Sequence, residues 1–235
     1  MDSPFLHTIF KPENFKKEEL ELILNQFEAI EFKKNEYLIE IGKTCTFYYF
    51  LEEGFLRSYT IDPDGNDITS KFFGPKDIVI DWYSYFLKKP SREPVQALTA
   101  GKCWKVRFSD FMKLFHIEAF REVGRTRLVQ NYFELKNHSI SVIADQAKDR
   151  YLNLLHEKPE LVQNVPLKHL ATYLGVTDTS LSRIRNEVAK AQWDEPSDTY
   201  LHFDRIPDSH LYSGISNCPA SPTVRSTRSI QSIVL

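Results

Sequence analysis

Residues 166–188, PLKHLATYLGVTDTSLSRIRNEV, leave the chain few ways to fold. Leu170-Ala171-x-x-Leu174-Gly175-Val176, followed by Leu181 and Ile184, is the apolar spacing of two short helices joined by a tight turn. Ala171 is small where the helices must approach, and Gly175 stands where the chain must turn sharply. Pro166 suits a helix start, and Thr177 can cap the second helix. A helix-turn-helix of this kind presents the outer face of its second helix to a DNA major groove. That face carries Asp178, Thr179, Ser182, Arg183 and Asn186, with Ser180 and Arg185 at its flanks. Thr, Ser, Asn and Arg favour base reading, whereas a plain solvated face would hold more Lys and Glu. The same spacing also occurs in structural helical hairpins. Charge is a weak ally, because residues 148–190 hold seven Lys/Arg against five Asp/Glu, which gives modest electrostatic reach.

Upstream the periodicity changes. Residues 30–107 are strand-rich, with alternation in Glu36-Tyr37-Leu38-Ile39-Glu40-Ile41 and an aromatic run at Phe47-Tyr48-Tyr49-Phe50-Leu51. Asp62-Pro63-Asp64-Gly65-Asn66 marks a tight turn before the next strand at residues 68–73. Short strands separated by Gly, Pro and Asp at this interval predict a barrel or sandwich, preceded by a helix over 17–27. From Ser109, a candidate helix cap, the period becomes helical. A short helix reaches residue 115, and a long one carries Phe120, Val123, Leu128, Tyr132, Leu135 and Val142 at mixed three- and four-residue steps. A helix this long leaving a small barrel needs a partner for its stripe: a second copy of itself, or its own barrel. A further helix over 147–155 ends before Pro159.

Three cysteines far apart (Cys45, Cys103 and Cys218) and scattered histidines suggest neither a disulfide framework, a zinc site nor an iron–sulfur cluster. No cofactor and no metal are expected. The sequence holds no recognisable nucleophile–base pair or glycine-rich phosphate loop, so an enzyme is not expected. No apolar run reaches the roughly 18 residues of a membrane span, and the N-terminus lacks the pattern of a secretory signal. A cytoplasmic protein without membrane contact is expected. No lysine follows Lys190, and Ser, Thr, Asp and Pro dominate residues 191–235, which predicts a disordered tail.

The order of barrel, long helix and helix-turn-helix resembles the cyclic-AMP receptor protein/FNR (Crp/Fnr) family of transcription regulators. The carrying residues are 36–42, Tyr48-Tyr49-Phe50 with Gly54, Gly65, Lys76-Asp77-Ile78, Pro90-Ser91-Arg92 and 165–185. The resemblance covers about residues 5–190, and Pro90-Ser91 with Leu181-Ser182-Arg183-Ile184-Arg185 looks like the branch common in Bacteroidetes. It implies an α+β chain: a cyclic-nucleotide-binding-type β jelly roll over 1–115, a dimerisation helix over 116–145, and a winged helix-turn-helix DNA-binding domain over 146–190. Only residues 157–166 separate the helix-turn-helix from the preceding helix, which leaves little room for a wing.

The resemblance also implies an effector pocket at Asp81, Ser91 and Arg92. Family members that bind cyclic AMP hold the ribose with a Glu and the phosphate with an Arg-Ser-Ala run. Here Asp81 is a methylene shorter, Ile80 replaces a glycine, Glu93 follows Arg92, and Pro94 removes a backbone N–H. Those departures argue against cyclic AMP and leave any small-molecule effector unnamed. Asp81 and Arg92 read equally as surface residues or a mutual salt bridge. The expected partners are therefore double-stranded DNA and a second copy of the chain. Arg183 is expected on guanine, Asp178 or Thr179 on a neighbouring base, and Lys168, Thr177, Ser180 and His169 on phosphates, His169 equally as a solvated residue. A sensor or adaptor with the same barrel, acting through protein contacts, is the alternative.

Overall fold

Strand alternation and aromatic density build eight antiparallel strands in the computed structural model, which describes residues 3–194, with side chains for residues 3–190. The strands are β1 (Glu28–Phe32), β2 (Tyr37–Ile39), β3 (Phe47–Glu53), β4 (Leu56–Ile61), β5 (Asp67–Phe73), β6 (Ile78–Val79), β7 (Val95–Ala97) and β8 (Gly101–Arg107). They form two four-stranded sheets, in the orders β1-β8-β3-β6 and β2-β7-β4-β5. This is the jelly-roll arrangement. The expected turn closes β4 onto β5: the Asp62 carboxylate accepts from the Asp64 and Asn66 amides, and Gly65 turns with φ +87°.

β3 is apolar almost throughout because both of its faces are covered. Tyr49 and Leu51 alternate with Tyr48 and Phe50. The second pair meets helices: Tyr48 stacks on Phe111, and Phe50 meets Phe10 and Phe27. These belong to α1 (Pro4–Ile9) with its C-cap Phe10, to α2 (Lys17–Leu24) and the loop after it, and to α4 (Phe108–Leu114). A short α3 (Trp82–Leu87) lies between β6 and β7. Cys45 and Cys103 are buried free thiols.

The long helix is α5 (Glu118–Ala144). Phe120 at its start stacks on Phe10 in the barrel core. Then come α6 (Ala147–Glu157), α7 (Pro159–Asn164), α8 (Leu167–Tyr173) and α9 (Asp178–Asp194). Three local expectations need correction. Ser109 lies inside α4, whose cap position is Arg107 and makes no side-chain bond. Residues 159–164, expected as a connection, form α7, and the last strand among the described residues ends at Arg107. α9 also continues past residue 190, where the tail was expected to begin. The remainder of that tail, with Cys218, lies outside the described residues.

Gly101 opens β8 where the two sheet partners of that strand crowd it. A Cβ there would lie 2.1 Å from the Glu53 carbonyl oxygen and 2.6 Å from the Phe32 ring. Since backbone cannot yield cheaply, Gly101→Ala should lower the unfolding free energy by about 1–3 kcal/mol. Urea titration followed by tryptophan fluorescence checks this, with Trp104 on the same strand as reporter.

Candidate nucleic-acid interface

The turn between α8 and α9 forms because Gly175 adopts φ +67°, which a β-carbon disfavours. The Gly175 amide donates to the Thr172 carbonyl, and the Val176 amide to that of Ala171. Leu170, Ala171, Leu174 and Leu181 are fully buried between the helices. Tyr151 and Leu154 of α6 and Leu161, Val162 and Val165 around α7 complete that core. Arg150 ties the turn from outside: its Nε and Nη2 donate to the Leu174 carbonyl, and its Nη1 to that of Asp145 at the end of α5. Thr177 caps α9, its Oγ1 accepting from the Ser180 amide at 3.2 Å and lying 2.9 Å from the Ser180 hydroxyl.

The expected reading residues fall on one solvent-facing side. Thr177, Asp178, Thr179, Arg183 and Asn186 are exposed, as is Lys168 on α8, while Ser180 and Ser182 are half-buried. Thr179, Arg183 and Asn186 stand at steps of four and three along α9, so their side chains share a face.

His169 is placed elsewhere. It is 6% exposed, neither on the exposed face of Thr179, Arg183 and Asn186 nor solvated, and its Nδ1 lies 2.7 Å from Nη1 of Arg57 on β4. Arg57 is itself 4% exposed and lies among Asp67, Thr69 and Gln96, with its guanidinium over the Tyr59 ring. Burial, reinforced by the charges of Arg57 and Lys168, pushes His169 down to about 4 against the opposing pull of Asp67 and Asp178. Burial works the other way on Asp67, yet Arg57, His169 and Lys168 hold its carboxyl below the usual value. The imidazole is therefore neutral at pH 7 and accepts a hydrogen bond through Nδ1. Arg57 was not expected here, since its sequence signal is a single charge between Leu56 and Ser58 in an otherwise apolar strand start.

The expected effector residues are not assembled as a phosphate cradle. Asp81 caps α3 through the Ser84 amide, and its other oxygen lies 2.5 Å from the Ser91 hydroxyl. Arg92 is exposed over the Tyr83 ring rather than paired with Asp81. The polar group beside them is Glu93, whose Oε2 accepts from both Ser58 and Ser70 at 2.7 Å. A carboxylate held in this way repels a phosphate.

Along α5 the usual polarity is inverted. One set of its polar side chains faces the rest of the chain: Arg127 donates to the Lys76 carbonyl, Asn131 accepts from Lys71, Glu134 pairs with Lys158, and His138 stacks on Tyr173. Val129, Tyr132, Phe133, Ile140 and Ile143 face solvent, the last 85% exposed.

Residues 29–118 match the family described as "Cyclic nucleotide-binding domain". No curated protein sequence matches the chain. Among solved structures, FixK2 from Bradyrhizobium japonicum is similar with TM-score 0.61 and 18% identity, over 74% of this chain and 89% of that one. CooA from Carboxydothermus hydrogenoformans, as a mutant, superposes with TM-score 0.59 and 14% identity, over 84% and 89%. A transcriptional regulator of the crp/fnr family from Eubacterium rectale gives 0.59 and 14%, over 78% and 88%. The described chain thus has the fold of these proteins.

Removing the Thr177 hydroxyl leaves the Ser180 amide in the first turn of α9 without its side-chain acceptor. Thr177→Ala should cost about 1 kcal/mol of stability. Thr177→Ser should recover most of it in the same urea titration, because the hydroxyl returns.

Proposed function

We propose that this chain, which has the Crp/Fnr fold, is a homodimeric, sequence-specific DNA-binding transcription regulator. The carrying observation is the exposed stripe Thr179, Arg183 and Asn186 on a helix whose opposite side is locked into a helix-turn-helix core. In this reading Arg183 makes a bidentate contact with guanine O6 and N7, and Asp178 or Thr179 reads a neighbouring base. Lys168, Thr177 and Ser180 hold phosphates, which position the protein without specifying sequence. Similar regulators, including the crp/fnr transcriptional regulator, support the assignment.

The inverted helix α5 supports dimerisation. Val129, Phe133, Ile140 and Ile143 follow steps of four, seven and three, the spacing of a coiled-coil seam, with Lys136 completing the track. Burying this stripe against a second copy removes several large apolar side chains from water, each worth about 1.5–3 kcal/mol when fully buried. Two reading helices would then enter successive major grooves about 34 Å apart on a partly palindromic site.

The barrel is read as responding to something other than cyclic AMP. The Glu93 carboxylate accepts from Ser58 and Ser70, Arg92 lies exposed over the Tyr83 ring, and Asp81 already serves as a helix cap.

Selection from a random DNA pool by the full-length protein tests this function. A conserved bipartite sequence supports it, and an affinity that does not change with salt removes DNA as the ligand. Arg183→Ala should cost about 1–3 kcal/mol on the selected site and relax preference at one base pair of each half-site. Equal loss on random DNA would reassign Arg183 to a phosphate. Phe133→Glu should shift the protein to monomer in sedimentation equilibrium without lowering its unfolding midpoint as a protomer, because that ring is already 55% exposed.

A further inference from the structure

β5 is an edge strand, and an uncovered edge exposes unpaired backbone groups. Here the edge is covered by α8. The Thr69 amide donates to Thr172 Oγ1 at 3.2 Å, and the Phe72 ring meets Tyr173 at 5.1 Å. Phe55, Phe72 and Leu98 of the barrel are buried in the same apolar core as Leu170, Ala171 and Leu174. Arg57 sits in this contact, ion-paired to Asp67 and directing one N–H at His169. A cleft of about 660 Å³ lies beside it, bordered by α5, β5, α6 and α8 and lined by Lys71, Glu134, His138, Arg150, Glu157 and Tyr173 among others. The helix-turn-helix therefore meets the barrel over a bounded patch, with open space next to it.

We propose that Arg57 and His169 form a latch that holds the helix-turn-helix on the edge of the barrel in one orientation. Arg57 is the positioning residue. The barrel alone orients it, through Asp67, Thr69, Gln96 and the Tyr59 ring, so the guanidinium is preorganised to meet an acceptor on α8. Neutral His169 supplies that acceptor. Protonation at Nδ1 removes it and sets an imidazolium against a guanidinium. The charged groups around the ring are Arg57 from β4, Asp67 from β5, Lys168 from α8 and Asp178 from α9. Asp67 lies 3.9 Å from Nδ1, and its charge is already engaged by Arg57.

The sign of the pH effect follows. His169 titrates near 4 when latched and near the ordinary 6.5 when released, so the released state binds more protons between these values. Latching is at full strength above about pH 6.5, weakens as pH falls, and loses no more below about 4. Between pH 7 and pH 5 the released fraction should rise on the order of tenfold.

For a regulator that reads DNA, as proposed above, the latch sets the orientation of each reading helix and so the half-site spacing a dimer accepts. The exposed reading face in the latched state makes it the productive arrangement rather than an inhibited one.

The test uses the full-length protein and two readouts. The first needs no DNA: hydrogen-exchange protection of the Thr69 amide, whose acceptor is on α8, is compared with that of Leu51, whose amide donates to the Asp77 carbonyl within the barrel. Arg57→Met should cut Thr69 protection about tenfold and leave Leu51 unchanged. Wild type should show the same selective loss at pH 5, whereas His169→Gln, which keeps an uncharged acceptor, should not respond to pH. Unchanged Thr69 protection, or parallel loss at Leu51, overturns the latch. The second readout is binding to the sequence selected by wild type. Arg57→Met should lose about tenfold at the selected spacing and discriminate less against one inserted base pair. Retained affinity with retained discrimination, or tighter binding, overturns its positioning role. If wild type selects no sequence, the DNA reading falls while the exchange result still decides the latch.

Discussion

β3 is buried on both of its faces, and the direction in which α5 leaves the barrel follows from that. Its inner side chains, Tyr49 and Leu51, belong to the jelly roll, while Tyr48 and Phe50 offer aromatic rings to whatever covers the sheet. Phe10, Phe27 and Phe111 take those rings, and Phe120 stacks on Phe10. The first turn of α5 is thereby part of the barrel core. Ring pairs of this kind add directional preference to area burial, so the helix leaves the core along a line fixed by its own first turn. Its polar residues then need only hydrogen bonds and ion pairs to stay beside the body, and the apolar ones are turned outward.

That inversion separates two kinds of contact. Apolar contacts fix the start of α5 and the interior of the helix-turn-helix, where burial is complete and substitution is costly. Polar contacts tie α5 and the turn to their neighbours: Glu134 with Lys158, Lys71 with Asn131, Arg150 with the Asp145 and Leu174 carbonyls. Solvated pairs such as Glu134 and Lys158 contribute little each, so they add orientation to the apolar patch at Phe55, Phe72 and Leu98 on which the helix-turn-helix rests.

What could be read from the sequence was whatever is encoded locally. Gly175, the apolar period around Leu170 to Ile184 and the cap at Thr177 are decided within one short stretch of chain, and so is the Asp62 to Asn66 turn. The strand run at Phe47 to Leu51 and the stripe on α5 were visible for the same reason, although the stripe gave no sign that Phe120 and Val123 would pack on the barrel while Tyr132 stayed exposed. α1 and α7, six residues each, are too short for a period to register. His169 reads locally as a phosphate contact or a solvated residue because α8 already has one apolar side. Its second buried side is created by β4 and β5, more than a hundred residues earlier, and no local pattern signals that. Asp81 was legible as a carboxylate near a family ligand site, but its bond to the Ser84 amide makes it a helix cap first.

The strands that carry the docking contact also carry the polar group inside the barrel. Along β4, Phe55 before the strand and Arg57 within it face the helix-turn-helix, while Leu56 and Ser58 face inward. On β5, Thr69 meets Thr172, and Ser70, the extra residue of the bulge between Ser58 and Tyr59, reaches Glu93. A single peptide unit thus separates a residue bonded to Glu93 from a residue bonded across the docking patch, on each of two adjacent strands. Packed interiors transmit small displacements rather than absorbing them, and bulges concentrate local twist. The two serines that hold Glu93 stand one residue from Arg57 and Thr69, which hold the helix-turn-helix against the barrel.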